Sequence, residues 1–237
     1  MDNKNNIYLD AGTTYSKLII LGNGEEELSE YFIKSENDKY YYILPSSKIK
    51  TMNLTLKKAC GHMANASENE IIALANGAKP VVDEDATILD LGSRDAKWIN
   101  FQSGKFHDMD WNTSCASSTG ATVEMLLKFY NLKREDLKFN QEKFAVTCGI
   151  FGLEKIMDDI SNGASPVDSI SKFVHGIAYN AWSFSKKPNK IYLSGGFCEN
   201  PCFVDSLKYY CDVVLLGRFM LCEGLINSDK GELIHAR

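Results

Sequence analysis

One hairpin pattern occurs twice in this chain, and that duplication restricts the fold more than any other feature. Residues 7–21 read IYLDAGTTYSKLIIL and residues 87–101 read TILDLGSRDAKWINF, each with the spacing D-x-G-x-x-x-x-K. In both, an apolar run ends at an aspartate, a short loop of small residues follows, and alternating residues lead away. This is strand, tight turn, strand. Helical spacing is found between and after the copies, at residues 67–78, 117–130, 150–162 and 166–185. Ser67 reads as an N-cap with Glu70 completing a capping box, and Gly77 as the stop. A third strand, IYLSGGFCENP at 191–201, runs into glycines, and RFMLCEGLIN reads as a closing helix. The pattern predicts an α/β architecture of two similar lobes facing a cleft.

The loops suggest what such lobes would hold. Backbone N–H groups and hydroxyls of a Gly/Thr loop after a buried strand suit an anion, and Asp10 beside them suits a hydrated magnesium ion. AGTT alone is a weak signal and reads first as a plain hairpin turn. Two such loops facing each other place phosphates and metal between Asp10 and Asp90. Gly195 and Gly196 allow the close backbone approach that a flat base or ribose needs, or else form an ordinary strand-to-helix turn.

Composition narrows the partners. With 237 residues, 44% of them hydrophobic, the chain has enough material for a full core. A net charge of −5 without any basic stripe argues against nucleic acid. No apolar run reaches the ~20 residues needed to span a bilayer. A cytoplasmic protein is expected, and its seven cysteines are then not a disulfide framework. Most read as small buried hydrophobes. Cys115 and Cys148 stand apart because each immediately precedes an expected helix start, where the dipole favours a thiolate. Cys198 and Cys202 have no second pair at metal-binding spacing. The four histidines form no hydrolase motif.

Together, D-x-G-T-T-x-x-K, L-D-L-G-x-x-D-x-K and S-G-G-x-x-x-N resemble the phosphate-one, phosphate-two and adenosine loops of the actin, Hsp70 and sugar-kinase superfamily. The resemblance implies a two-lobed actin-like (ribonuclease H-like) fold binding ATP and magnesium in a central cleft. The first lobe would span 1–85, completed by a C-terminal helix at 218–230, and the second 86–217. Within the superfamily, C-A-x-x-T-G at 115–120 and T-C-x-x-F at 147–151 resemble the BadF/BadG/BcrA/BcrD-type ATPases, the activators of 2-hydroxyacyl-CoA dehydratases.

That resemblance implies an ATP-driven reductase. Cys115 and Cys148 would bind half of a 4Fe-4S cluster, and a homodimer would supply the other half. An electron would come from a donor such as ferredoxin or flavodoxin and pass to a partner metalloenzyme. Asp10 and Asp90 would act catalytically, with Asp10 holding magnesium through water. Gly12, Thr13, Thr14, Lys17, Gly92 and Ser93 would cradle phosphates. Gly195 and Gly196 would pack on adenosine, Thr119 and Gly120 would link nucleotide to Cys115, and Trp111 would cover the cluster. The chain departs from the family pattern at Ser93-Arg94, where Gly-Gln is usual. It departs again at Phe151-Gly152-Leu153-Glu154, where the family reads F-A-E-S-E. Ala59-Cys60-Gly61-His62-Met63 stands for T-G-Y-G-R. Two other classes are compatible with the loops: a sugar or carboxylic acid kinase using Asp95 as its catalytic base, and a nucleotide-binding regulatory module without turnover.

Overall fold

Both copies of the repeat fold into the hairpins that their alternation demands. The computed structural model describes residues 6–63, 65–112, 120–147 and 149–231. These form two compact units, one of residues up to Asp83 together with those from Arg218 onward, the other of Glu84–Gly217.

In the first unit, β1 (Asn6–Ala11) and β2 (Tyr15–Leu21) are the first hairpin. β3 (Phe32–Glu36), β4 (Lys39–Pro45) and β5 (Leu56–Gly61) extend it into a sheet of order β3-β4-β2-β1-β5, with β5 parallel to β1. Ile7, Leu9, Ala11, Leu18, Ile20 and Leu44 pack on one face. Strand alternation therefore turns Tyr8, Asp10 and Lys17 to the other. The helix α7 (Met220–Asp229) covers that second face, where Tyr8 Oη donates to Asp229 at 3.0 Å and Tyr41 Oη to Glu223 at 2.9 Å. Burial and the Asp229 carboxylate raise the Tyr8 phenol to about 12, so it stays a donor. A single turn, α1 (Ser46–Ile49), follows β4.

The helix α2 (Glu70–Ala78) crosses α7 with backbones in contact. A Cβ on Gly77 would collide with Met220 O, and one on Gly224 with Ala73 O. Gly77, expected at the helix end, is inside the helix because the crossing needs it there. The N-cap also differs from expectation. Asn69 Oδ1 accepts from Ile71 N at 2.8 Å, while Ser67 Oγ serves β5, accepting from Ala59 N at 2.9 Å.

In the second unit, β6 (Ala86–Leu91) and β7 (Ala96–Gln102) are the second hairpin. With β8 (Lys105–Asn112), β9 (Lys190–Gly195) and β10 (Asp212–Gly217) they form a sheet of order β10-β9-β6-β7-β8, in which β9 is parallel to β6. Leu89, Leu91, Trp98, Ile191 and Leu193 belong to one core with residues of α3 (Gly120–Phe129), α5 (Pro166–Phe184) and α6 (Pro201–Lys208), chiefly Val123, Phe173, Val174 and Phe203. The helix α4 (Gly149–Ser161) lies on α5, where Gly152 gives the Phe173 ring room that a Cβ would fill. The opposite sheet face carries Asp90, Lys97 and Ser194.

The duplication extends beyond the hairpins, since β1, β2 and β5 correspond to β6, β7 and β9. Gly61 and Gly195 end the parallel strands with φ of +94° and +92°. A Cβ on either would come within 3.0 Å of the neighbouring strand's carbonyl, Ala11 O or Leu91 O. No described helix is long and apolar enough to cross a membrane.

Candidate functional site

In the first unit, Asp10 is the penultimate residue of β1, with 5% of its surface exposed. Lys17 Nζ sits 2.8 Å from Asp10 Oδ2, so the cation aligned opposite it in the hairpin offsets the cost of burying the carboxylate. The tip carries Gly12, Thr13 and Thr14, both threonines exposed. Gly12 has no room for a Cβ beside Tyr15 O. Ser46, unremarked in the sequence, braces this tip: its Oγ donates to Gly12 O at 2.6 Å, and its N to Thr14 O at 3.0 Å. Cys60 and Cys222 are buried near Asp10. Burial, then the Asp10 charge, pushes both thiols well above their ordinary value, and Cys222 Sγ donates to Lys17 O at 3.3 Å. They act as packing thiols.

In the second unit, Asp90 is the penultimate residue of β6, with 6% exposed. The loop Gly92-Ser93-Arg94-Asp95 closes through Gly92 N to Asp95 O at 3.1 Å. Asp95 Oδ2 accepts from Lys97 Nζ and from Trp111 Nε1, each at 2.8 Å. Trp111, expected as a cover for a cluster, thus ties β8 to this loop. The loop is also joined to the start of α3. Gly120 N donates to Gly92 O at 3.3 Å and Ala121 N to Ser93 O at 3.0 Å. Arg94 is exposed. Gly195 is held against Leu91, whereas a Cβ on Gly196 would meet nothing within 4 Å. Only the second of the pair leaves space for a ligand to approach.

Cys115, Cys148 and Thr119 lie outside the described residues. The chain leading to Cys148 is fastened to α5. Asn180 Nδ2 donates to Val146 O at 2.5 Å, Phe144 N to Lys172 O at 3.1 Å, and His175 Nδ1 faces Asn140 O at 2.7 Å. Burial holds the His175 pKa below its ordinary value. Nδ1 carries the proton, because it points at a carbonyl, and Nε2 accepts from Tyr210 Oη at 2.7 Å. Cys198 and Cys202 bond separate carbonyls, Leu193 O and Lys138 O, both at 3.2 Å. Among the described residues, no three His, Cys, Asp or Glu side chains are grouped to hold a metal.

A β-hairpin present twice, each copy completed by a parallel strand that ends in a positive-φ glycine, gives the chain an actin-like α/β fold. The activator of 2-hydroxyisocaproyl-CoA dehydratase from Clostridium difficile with bound ADPNP superposes with a TM-score of 0.72 at 19% identity. It covers 98% of this chain and 99% of that one. In sequence, the chain is 22% identical over 214 residues to the (R)-2-hydroxyglutaryl-CoA dehydratase activating ATPase of Acidaminococcus fermentans, covering 81% of this chain and 82% of that protein. It is 25% identical over 224 residues to the 2-hydroxyisocaproyl-CoA dehydratase activator of Clostridioides difficile, covering 84% and 83%. No family model matches. The chain is thus similar, at 22–25% identity, to activators of 2-hydroxyacyl-CoA dehydratases.

Proposed function

We propose that this protein is an ATP-dependent activator that couples ATP binding and hydrolysis to low-potential electron transfer into a dehydratase-type metalloenzyme. One observation carries the coupling. The first turn of α3, which begins five residues after Cys115, hydrogen-bonds to Gly92 O and Ser93 O, so the second phosphate loop is tied directly to the start of that helix.

In this reading the first unit and the second are the two nucleotide-binding lobes. Gly12, Thr13, Thr14, Lys17, Gly92 and Ser93 bind phosphate oxygens, and Gly196, backed by Gly195, receives the adenosine. Asp90 orients the attacking water. Asp10 is a carboxylate already paired with Lys17, which suits magnesium that keeps its waters and takes its remaining ligands from phosphate. Magnesium, when bound, neutralises charge developing on the phosphates. Thr119 and Gly120 relay the loop position to Cys115. Cys115 and Cys148 supply two thiolates, so a four-thiolate centre needs a second copy of the chain. The cluster, when bound, provides single electrons at low potential. Met125, Phe129, Ile150, Phe151 and Met157 on α3 and α4 are large apolar side chains left exposed, and Tyr130 Oη, 3.3 Å from Met157 Sδ, joins the two helices. Such a surface suits a homodimer contact beside the shared cluster. A ferredoxin or flavodoxin is the expected donor.

The kinase alternative is weakened by Asp95. Its carboxylate is engaged by Lys97 and Trp111, which is a structural use and not that of a free base. The test is an anaerobic mixture of this protein, a 2-hydroxyacyl-CoA dehydratase, ATP and dithionite. Dehydration that requires both ATP and reductant is expected. A dehydratase left inactive, or ATP consumed only on addition of a sugar or carboxylic acid, would overturn the reading.

A further inference from the structure

Ser194 is buried with none of its surface exposed, and its hydroxyl has no hydrogen-bond partner among the described residues. Other buried serines do not share this property. Ser169 Oγ donates to Asp159 at 2.7 Å, Ser185 to Ala181 O at 3.0 Å, Ser206 to Cys202 O at 2.6 Å and Ser228 to Leu225 O at 3.1 Å. An orphaned buried hydroxyl is destabilising, and alanine would remove that cost at this position.

The place of this hydroxyl in the sheet indicates its use. Ser194 is in parallel register with Asp90. Leu193 and Leu91 face the helices, so alternation turns Ser194 and Asp90 together to the opposite face, on strands ~4.8 Å apart. Lys97 flanks Asp90 on the other side through the antiparallel hairpin. The equivalent position in the first unit, in register with Asp10, is Cys60. A thiol is a poor hydrogen-bonding group, and burial keeps this one protonated. The duplicated architecture therefore has a hydroxyl only beside the carboxylate assigned to the attacking water.

The geometry points to Ser194 as a second ligand of the hydrolytic water, fixing it between its hydroxyl and the Asp90 carboxylate; this rests on the ATPase reading above. In the step it serves, the water oxygen bonds to the γ-phosphorus while the bond from that phosphorus to the bridging oxygen breaks. ADP leaves with that electron pair, and the water gives one proton to Asp90. Two hydrogen bonds hold the water in line, where one would let it swing out of the attack direction.

The experiment measures ATP turnover, ADP affinity and melting temperature of the full chain with Ser194→Ala, Ser194→Cys and Asp90→Asn. Both Ser194 variants are expected to lower kcat at least ten-fold. KM for ATP and the Kd for ADP should stay within about two-fold, and Ser194→Ala should melt at the wild-type temperature or above it. Adding Ser194→Ala to Asp90→Asn should cost little more, because both act on one water. Unchanged kcat in Ser194→Ala, weakened ADP binding with kcat intact, or additive losses in the double variant would each overturn the assignment. A wild-type chain that does not hydrolyse ATP overturns the ATPase reading itself, and Ser194 with it. That failure is distinct from wild-type turnover surviving in Ser194→Ala.

Discussion

Gly195 and Gly196 are adjacent and identical, yet their substitution by alanine should separate folding from nucleotide binding. Gly195 has φ +92°, and its added Cβ would fall within 3.0 Å of Leu91 O and C, backbone atoms of the adjacent strand. At φ +92° and ψ −170° the backbone lies in a region that costs a residue with a Cβ about 2 kcal/mol. Moving a central strand to relieve the contact adds a similar amount, so the loss should be about 2–4 kcal/mol. At roughly 2–4 °C per kcal/mol for a chain of this size, Gly195→Ala should melt about 5–15 °C below wild type. Gly196→Ala meets nothing within 4 Å and should melt within about 2 °C of wild type. Its methyl instead fills the space assigned to adenosine, so ADP affinity should fall several-fold. Thermal unfolding followed by circular dichroism, with calorimetric ADP titration, reads both quantities. Equal melting losses in the two variants, or full ADP affinity in Gly196→Ala, would refute the reasoning.

Trp111→Phe keeps the ring but removes the indole N–H that Asp95 accepts at 2.8 Å. With Lys97 still paired to Asp95, a loss of about 1 kcal/mol is expected, seen as melting about 2–4 °C lower. The folded His175 has its pKa below the ordinary 6.5, so its contribution to stability is complete above that value and declines as pH falls towards the folded one. Melting temperatures between about pH 5 and pH 8 should fall on the acid side, and His175→Asn should flatten that fall. Phe129 and Ile150 are 71% and 72% exposed, so Phe129→Asp and Ile150→Asp should leave melting nearly unchanged but shift sedimentation from dimer to monomer.

The hairpins were legible because D-x-G-x-x-x-x-K fixes both a turn and an alternation, and the structure pairs Asp10 with Lys17 and Asp90 with Lys97 across them. The two glycines that end β5 and β9 were half legible: SGG stood out, while the single Gly61 of ACG did not, although both positions meet the same steric demand. Strand β10 and helix α6 leave only weak signals in the sequence. DVVLLG has exposed positions that blur its pattern, and α6 is too short to show a period, although Asn200-Pro201 is a good helix start. Gly77 reads as a stop yet lies inside α2, because a local stop signal and a close helix crossing require the same residue. The bonds of Trp111 and Ser46 join positions far apart in sequence, and spacing carries no information about them. Ser194 is informative through a hydrogen bond it lacks, which only the packed structure reveals.

Iron and acid-labile sulfide in anaerobically purified protein test the central claim most directly, with Cys115→Ser and Cys148→Ser measured alongside. About four iron and four sulfide per two chains are predicted for wild type, and little of either for each variant. A wild-type protein free of iron under strict anaerobiosis, or iron unchanged in Cys115→Ser, would contradict the account.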